Sequence, residues 1–188
     1  MQISVRPTTL DGVVVVETDY PRDDRGFFNE TYRRNQFEAL GLPTDWVQDN
    51  HSRSRRGVLR GIHYQDERAP MAKLVRCTRG AIYDVAVDLR LGSPTFGLWT
   101  GLFLDDVNLH QILVPVGFGH AFVVVTEDAD VEYRCTAYYA PETEGAVAWN
   151  DPEVGILWPI DDPILSSRDR SAMSLAAYRT QPAFRFQG

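Results

Sequence analysis

The stretch "GVLRGIHYQDERAPMAKLVR" (57–76) contains two apolar runs interrupted or flanked by Arg60, His63 and Lys73. Its β-branched and aliphatic residues, bounded by turn residues, read as two strands. A strand that only fills a core does not carry three such groups, because an unpaired polar group in a dry interior costs about 2 kcal/mol or more. The stretch therefore reads as two strands beside a polar cavity. Arg60 and His63 have opposite parity, so both reach one cavity only if the strand bulges, and Gly61 is where that can happen.

The same pattern runs outward in both directions. "GVVVVE" (12–17), "GFFNETY" (26–32) and "WVQDNHSRS" (46–54) precede it. "AIYDVAVDL" (81–89), "FGLWTGLFL" (96–104), "QILVPVG" (111–117), "HAFVVVT" (120–126) and "VEYRCTAYY" (131–139) follow. A succession of short strands implies an all-β sandwich or barrel. Helical periodicity is weak: 35–41 supports one or two turns and 169–180 a short C-terminal helix. No repeat or linker divides the chain, so 1–188 reads as one domain. Along the strands Gln48, Asn50, Ser52 and Ser54 share one face, Lys73, Val75 and Cys77 another, and Val131, Tyr133 and Cys135 a third. So many hydrogen-bonding groups on inward-capable positions imply a wet cavity or a bound ligand.

With 188 residues, a domain buries roughly 70% of its unfolded surface and needs no disulfide or structural metal to fold. A net charge of −7 argues against a general nucleic-acid or anionic-membrane binder. The exception is the local basic tract "SRSRRGVLR" (52–60), which reads either as a solvated loop or as a site for a small anion. No apolar run reaches membrane-spanning length and no leader pattern opens the chain. Cys77 and Cys135, both in strand-like surroundings, read as a reduced, buried pair; this fits a cytoplasmic protein.

Four histidines, His51, His63, His110 and His120, are candidates for chemistry. "PVGFGH" (115–120) resembles half of a cupin metal pattern, but the His-x-His pair of the other half is missing, since Tyr64 and Gln65 follow His63. A transition-metal site needs about three protein ligands, so no metal is expected, and no cofactor motif occurs. The remaining kit suits proton transfer. His63 can be a general base, Tyr133 a general acid, and Lys73 a partner for a developing oxyanion. Taken without further context, Tyr133 reads first as a core tyrosine with a satisfied hydroxyl.

Several segments together, "DDRGFFNETY" (23–32), "VQDNHSRS" (47–54), "GVLRGIHYQ" (57–65), "KLVRC" (73–77), "DVAVDLRLGSPTFG" (84–97), "PVGFGHAF" (115–122), "YRCTAYYAPETEG" (133–145) and "WNDPEVGILWP" (149–159), resemble the dTDP-4-dehydrorhamnose 3,5-epimerase family. The resemblance implies a jelly-roll, cupin-like β-sandwich with short peripheral helices, without metal or cofactor, working as a homodimer. It implies His63 as base oriented by Asp169, Tyr133 as proton donor and Lys73 on the C4 oxygen. It places Arg25, Glu30, Gln48, Asp49, Asn50, Arg60, His120, Glu144 and Arg168 at substrate-binding positions, with Tyr139 stacking on thymine. The implied substrate is a dTDP-linked 4-keto-6-deoxyhexose inverted at C3 and C5. The alternatives are inversion at C3 alone and a non-catalytic sugar-nucleotide-binding jelly roll. The chain departs from the family in having Tyr20 where Phe is common, Gly119 for Ala, Ala121 for Gly and Arg168 for Lys.

Overall fold

Alternation along the strands decides the architecture of the computed structural model, which describes residues 1–187. The strands are β1 (Ile3–Pro7), β2 (Val14–Thr18), β3 (Arg22–Asp23), β4 (Gly26–Phe27), β5 (Gln48–Arg55), β6 (Leu59–Gln65), β7 (Lys73–Arg79) and β8 (Ala81–Asp88). β9 (Arg90–Leu91), β10 (Trp99–Asp105), β11 (Gln111–Val114), β12 (Phe118–Val124), β13 (Asp128–Cys135), β14 (Glu144–Ala146) and β15 (Phe184–Arg185) complete them. A six-stranded sheet has the order β1-β2-β11-β7-β13-β5, and a five-stranded sheet the order β10-β8-β12-β6-β14. All pairings in these two sheets are antiparallel. The result is the all-β jelly-roll sandwich expected of the sequence. Between the sheets, Val75, Ile112 and Val131 of one pack with Ile82, Ala86 and Phe122 of the other. Each fully buried aliphatic side chain contributes roughly 1.5–3 kcal/mol.

The bulge expected in β6 is present. His63 pairs with His120 and Arg60 with Phe122, and the register shifts between them. Gly61 has φ +132°, and a Cβ there would lie 2.3 Å from the Ala121 Cβ. Only a glycine lets the strand slip a residue at that point.

The helices depart in part from expectation. α1 (Arg34–Ala39) overlaps the anticipated region, whereas the C-terminal helix divides into α2 (Ser167–Arg170) and α3 (Leu175–Thr180). The backbone of Met173 accepts from Ala148 N and donates to Ala146 O, drawing 171–174 into an extended bridge. Ser166 and Ser174 then cap the two pieces, accepting from the backbone N–H of Asp169 and Ala177. The segment 26–32 is a strand only at Gly26–Phe27, paired with β3. Beyond it the chain has no ladder partner and is tied instead through Thr31 O, which accepts from Gln111 Nε2 at 2.8 Å. Strands β1 and β14, and the two-residue β3, β9 and β15, lie outside every segment anticipated as a strand. No helix among the described residues is long and apolar enough to cross a membrane.

One polar knot holds the C-terminal segment to the sandwich. Asp88, fully buried, accepts from Arg90 Nη2 at 2.8 Å, Ser93 Oγ at 2.6 Å and Thr95 Oγ1 at 2.6 Å. The Arg90 guanidinium lies over the rings of Phe118 and Phe186. Burial pushes the Asp88 carboxyl up, but these donors overcome it and hold the group below the usual carboxylate range. Asp88→Ala leaves Arg90 half-buried and unpaired, so denaturant titration should show a loss of about 3 kcal/mol. The wild-type contribution is fully present above about pH 4 and fades as pH falls through the lowered folded value.

Candidate active site

The inward faces turn polar toward one end of the sandwich. On the six-stranded wall, Lys73, Cys135 and Gln48 stand in one cross-strand row, and Val75, Tyr133 and Asn50 in the next. The facing wall presents Arg60 and His63 from β6, with Gln65 paired to Glu144 of β14. These residues other than Val75, with Tyr139 and Arg168 at the mouth and Met71 and Tyr64 at the sides, line a cavity of about 350 Å³. His63 and Tyr133 thus approach the space from opposite sheets.

His63 is the best-supported group. Its Nε2 lies 2.5 Å from Asp169 Oδ1, and Asp169 Oδ2 accepts from Ser166 Oγ at 2.6 Å. Burial raises the Asp169 carboxyl, but the hydrogen bonds from His63 and Ser166 hold it below its ordinary value, so it is ionised. A carboxylate only accepts, which puts the ring proton on Nε2 and the lone pair on Nδ1. Burial lowers the His63 pKa more than Asp169 raises it, and the charges of Arg168 and Lys73 add to the lowering. The ring is a neutral base at physiological pH.

Tyr133 and Lys73 share the other wall, with Lys73 Nζ 5.8 Å from the Tyr133 ring centroid. Burial, and secondarily Cys135, raises the Tyr133 pKa, keeping the phenol protonated. Burial lowers that of Lys73, while Cys135, Glu144 and Asp84 work against the fall. The amine is therefore poorly solvated, and its protonated form gains from any oxyanion formed beside it.

Other polar groups fix the frame. Arg60 donates to Ser54 Oγ at 3.0 and 3.2 Å. Gln48 donates to Asn50 Oδ1 at 3.0 Å and accepts from the Tyr139 backbone N–H at 3.0 Å. Glu144 accepts from the Tyr139 hydroxyl at 2.8 Å and pairs with Arg168. His120, the cross-strand neighbour of His63, is buried with its Nε2 2.9 Å from Asp84 Oδ2. The other Asp84 oxygen has no hydrogen-bond partner, and burial pushes this carboxyl up despite His120.

Not every anticipated residue is gathered here. Asp49 alternates to the outer face, where it lies 3.6 Å from Arg134. Arg25 sits exposed in the β3–β4 hairpin on Asp23, and Glu30 pairs with Arg33 at 2.7 Å. His120 stands beside His63 on the inward face but does not itself line the cavity. Conversely, Met71, Cys135 and Ser166 belong to the site without having been singled out for it. Ser166 had a signal: Ser-x-x-Asp over 166–169 is the spacing of a helix N-cap. Cys77 and Cys135 are both buried and unbridged, as expected, with burial pushing the Cys77 thiol up to about 12. A second concavity of about 260 Å³ on the outer face holds charges already paired, notably Arg76 with Glu132 at 2.5 Å.

A jelly roll opening onto a carboxylate-bound histidine, a facing tyrosine and a buried lysine defines a cupin-like enzyme pocket suited to proton transfer. The family model described as dTDP-4-dehydrorhamnose 3,5-epimerase matches residues 7–177, and the chain belongs to that family. The Pseudomonas aeruginosa dTDP-4-dehydrorhamnose 3,5-epimerase is 52% identical over 169 residues, covering 89% of this chain and 93% of that protein. The dTDP-4-dehydrorhamnose 3-epimerase of Streptomyces niveus is 43% identical over 93% of this chain and 85% of its own. A crystal structure of the Legionella pneumophila dTDP-6-deoxy-D-glucose-3,5-epimerase in complex with dTDP-4-keto-L-rhamnose has a TM-score of 0.95, at 41% identity and 100% coverage of both chains.

The lowered His63 pKa has a kinetic consequence. A histidine serving as general base must be neutral to act, so with His63 in that role the acid limb of kcat/KM should fall below about pH 6.5, the ordinary imidazole value. A limb at or above that value contradicts the assignment.

Proposed function

We propose that the protein inverts C3 and C5 of dTDP-4-dehydro-6-deoxy-D-glucose to give dTDP-4-dehydro-L-rhamnose. The observation that carries the mechanism is the arrival of His63 and Tyr133 from facing sheets at one cavity. In a 4-keto sugar, the hydrogens at C3 and C5 both flank the carbonyl and are acidified by it. His63 Nδ1 removes one from one face of the ring. The electron pair moves into an enolate whose oxygen lies against the Lys73 ammonium. Tyr133 returns a proton to the opposite face, which inverts that carbon. Exchange with solvent restores the phenol and the neutral imidazole, and a second cycle inverts the other carbon without any redox change.

The remaining polar groups fit substrate binding. Arg60 and Arg168 can fork onto the diphosphate, a geometry guanidinium favours. Tyr139, exposed at the mouth, can stack on thymine, with Gln48, Asn50 and Glu144 around the sugar. His120 supports the wall beside His63. Arg25, Glu30 and Asp49 lie away from their own chain's cavity, which favours a homodimer in which such residues serve across the subunit boundary. The two unbridged cysteines support a cytoplasmic location.

A second reading, inversion at C3 alone, is favoured by the similarity to the Streptomyces niveus 3-epimerase. NMR of the wild-type reaction in heavy water, coupled to a 4-ketoreductase, separates the two: deuterium at both C3 and C5 of the trapped product is expected. His63→Ala should slow exchange at both carbons by at least about 100-fold. Exchange at the wild-type rate in that variant removes His63 from the base role. Tyr133→Phe should retain dTDP affinity while losing inverted product; loss of affinity with normal turnover of bound substrate makes Tyr133 a contact only.

A further inference from the structure

Between β13 of the six-stranded sheet and β14 of the five-stranded one, residues 136–140 belong to no strand ladder. This crossover carries Tyr139, exposed at the mouth of the cavity. Its backbone is held by two side-chain amides, one from each sheet. Gln48 of β5 accepts from the Tyr139 N–H at 3.0 Å. Gln65 of β6 is buried; its Oε1 accepts from the Ala140 N–H at 2.8 Å and its Nε2 donates to Tyr138 O at 3.2 Å. The second hydrogen of Nε2 goes to Ala69 O at 3.0 Å, in the turn that follows β6. A backbone N–H only donates and a carbonyl only accepts, so these partners also fix which end of the amide is which. Both donors of Gln65 are thereby engaged by main chain. The side chain borders the cavity, yet it has no hydrogen left to give a ligand.

We propose that Gln65 is a positioning residue for the nucleobase, holding the 138–140 crossover so that the Tyr139 ring stands ready to stack. The inference rests on the epimerase reading, in which Tyr139 meets thymine, and adds to it the group that fixes the ring in place. A ring carried on a segment without a ladder loses affinity if its backbone must be ordered at each binding event. Gln65 bonds the chain on both sides of Tyr139, at residues 138 and 140, as a neighbouring strand does within a sheet. Gln48 takes the N–H between them from the opposite wall. The far end of the ring is tied to the same place. The Tyr139 hydroxyl donates to Glu144, and Glu144 is the cross-strand partner of Gln65. Gln65 stands two positions beyond His63 on β6. One strand therefore locates both the aromatic that receives the base and the imidazole that meets the sugar.

The test is a double-mutant cycle on the affinity of the full chain for thymidine diphosphate, read by calorimetry. Gln65→Met keeps the length of the side chain and removes all three bonds. It should weaken binding about tenfold, the equivalent of ordering roughly one residue of backbone anew. Tyr139→Ala should weaken binding by itself, and adding Gln65→Met to it should change the affinity by less than about twofold. A tenfold loss in both backgrounds means that Gln65 does not act through Tyr139 and overturns the proposal. So does an unchanged affinity in Gln65→Met. Gln65→Asn, uncharged but one carbon too short to span its three partners, takes the same place in the cycle should the Met variant fail to fold. Hydrogen exchange gives a reading without ligand: the Ala140 amide should exchange at least about tenfold faster in either variant, and equal rates overturn the proposal. Failure of the wild type to bind the nucleotide counts instead against the epimerase reading, and the Ala140 exchange rate still decides whether Gln65 holds the crossover.

Discussion

Everything in the cavity depends on a close approach between two backbones. Where β6 passes β12, Gly61 lies against Ala121 with no space for a side chain. The slip in register that this permits puts Arg60 and His63 on one wall although they are three residues apart. Without it, regular alternation would send one inward and the other out. The neighbouring strand is equally tight: a Cβ on Gly119 would lie 2.4 Å from Ile62 Cγ2. The small residues at 61, 119 and 121 are thus a steric condition for the chemistry, although none of them has a functional group.

The rest of the site is built by different means on its two walls. The six-stranded wall uses plain alternation, so that Lys73, Tyr133 and Cys135 face inward by register alone. On the other side, Asp169 comes from a four-residue helix, held by the Ser166 cap and by the bond to His63. His63 and Tyr133 are accordingly mounted on separate layers of the sandwich. That separation is what the proposed inversion requires.

The sequence carried the fold class because period-2 patterning and turn residues are local signals. The inward faces of β5, β7 and β13 were legible for the same reason, as was the need for a bulge at Gly61. Less was legible where partners are distant. The 26–32 segment has the composition of a strand, yet its ladder ends at Phe27. The 169–180 segment has helical composition, yet bridging to 146–148 breaks it. Proximity of His63 to Asp169 spans 106 residues and came only through the family resemblance.

β5 is a free edge of the six-stranded sheet in this chain, and its pattern has a further meaning. Its inward residues, Gln48, Asn50, Ser52 and Ser54, are polar, and its outward residues, Asp49, His51, Arg53 and Arg55, are charged or ionisable. Solvation therefore gives little reason to prefer one alignment over a slip by one position. The choice falls to directional bonds: the two-pronged contact of Arg53 with Asp130, at 2.6 Å on each oxygen, and the Asn50 amide on Cys135 Sγ. An edge aligned by charge rather than by oil is also one that offers little to a stray strand from another molecule.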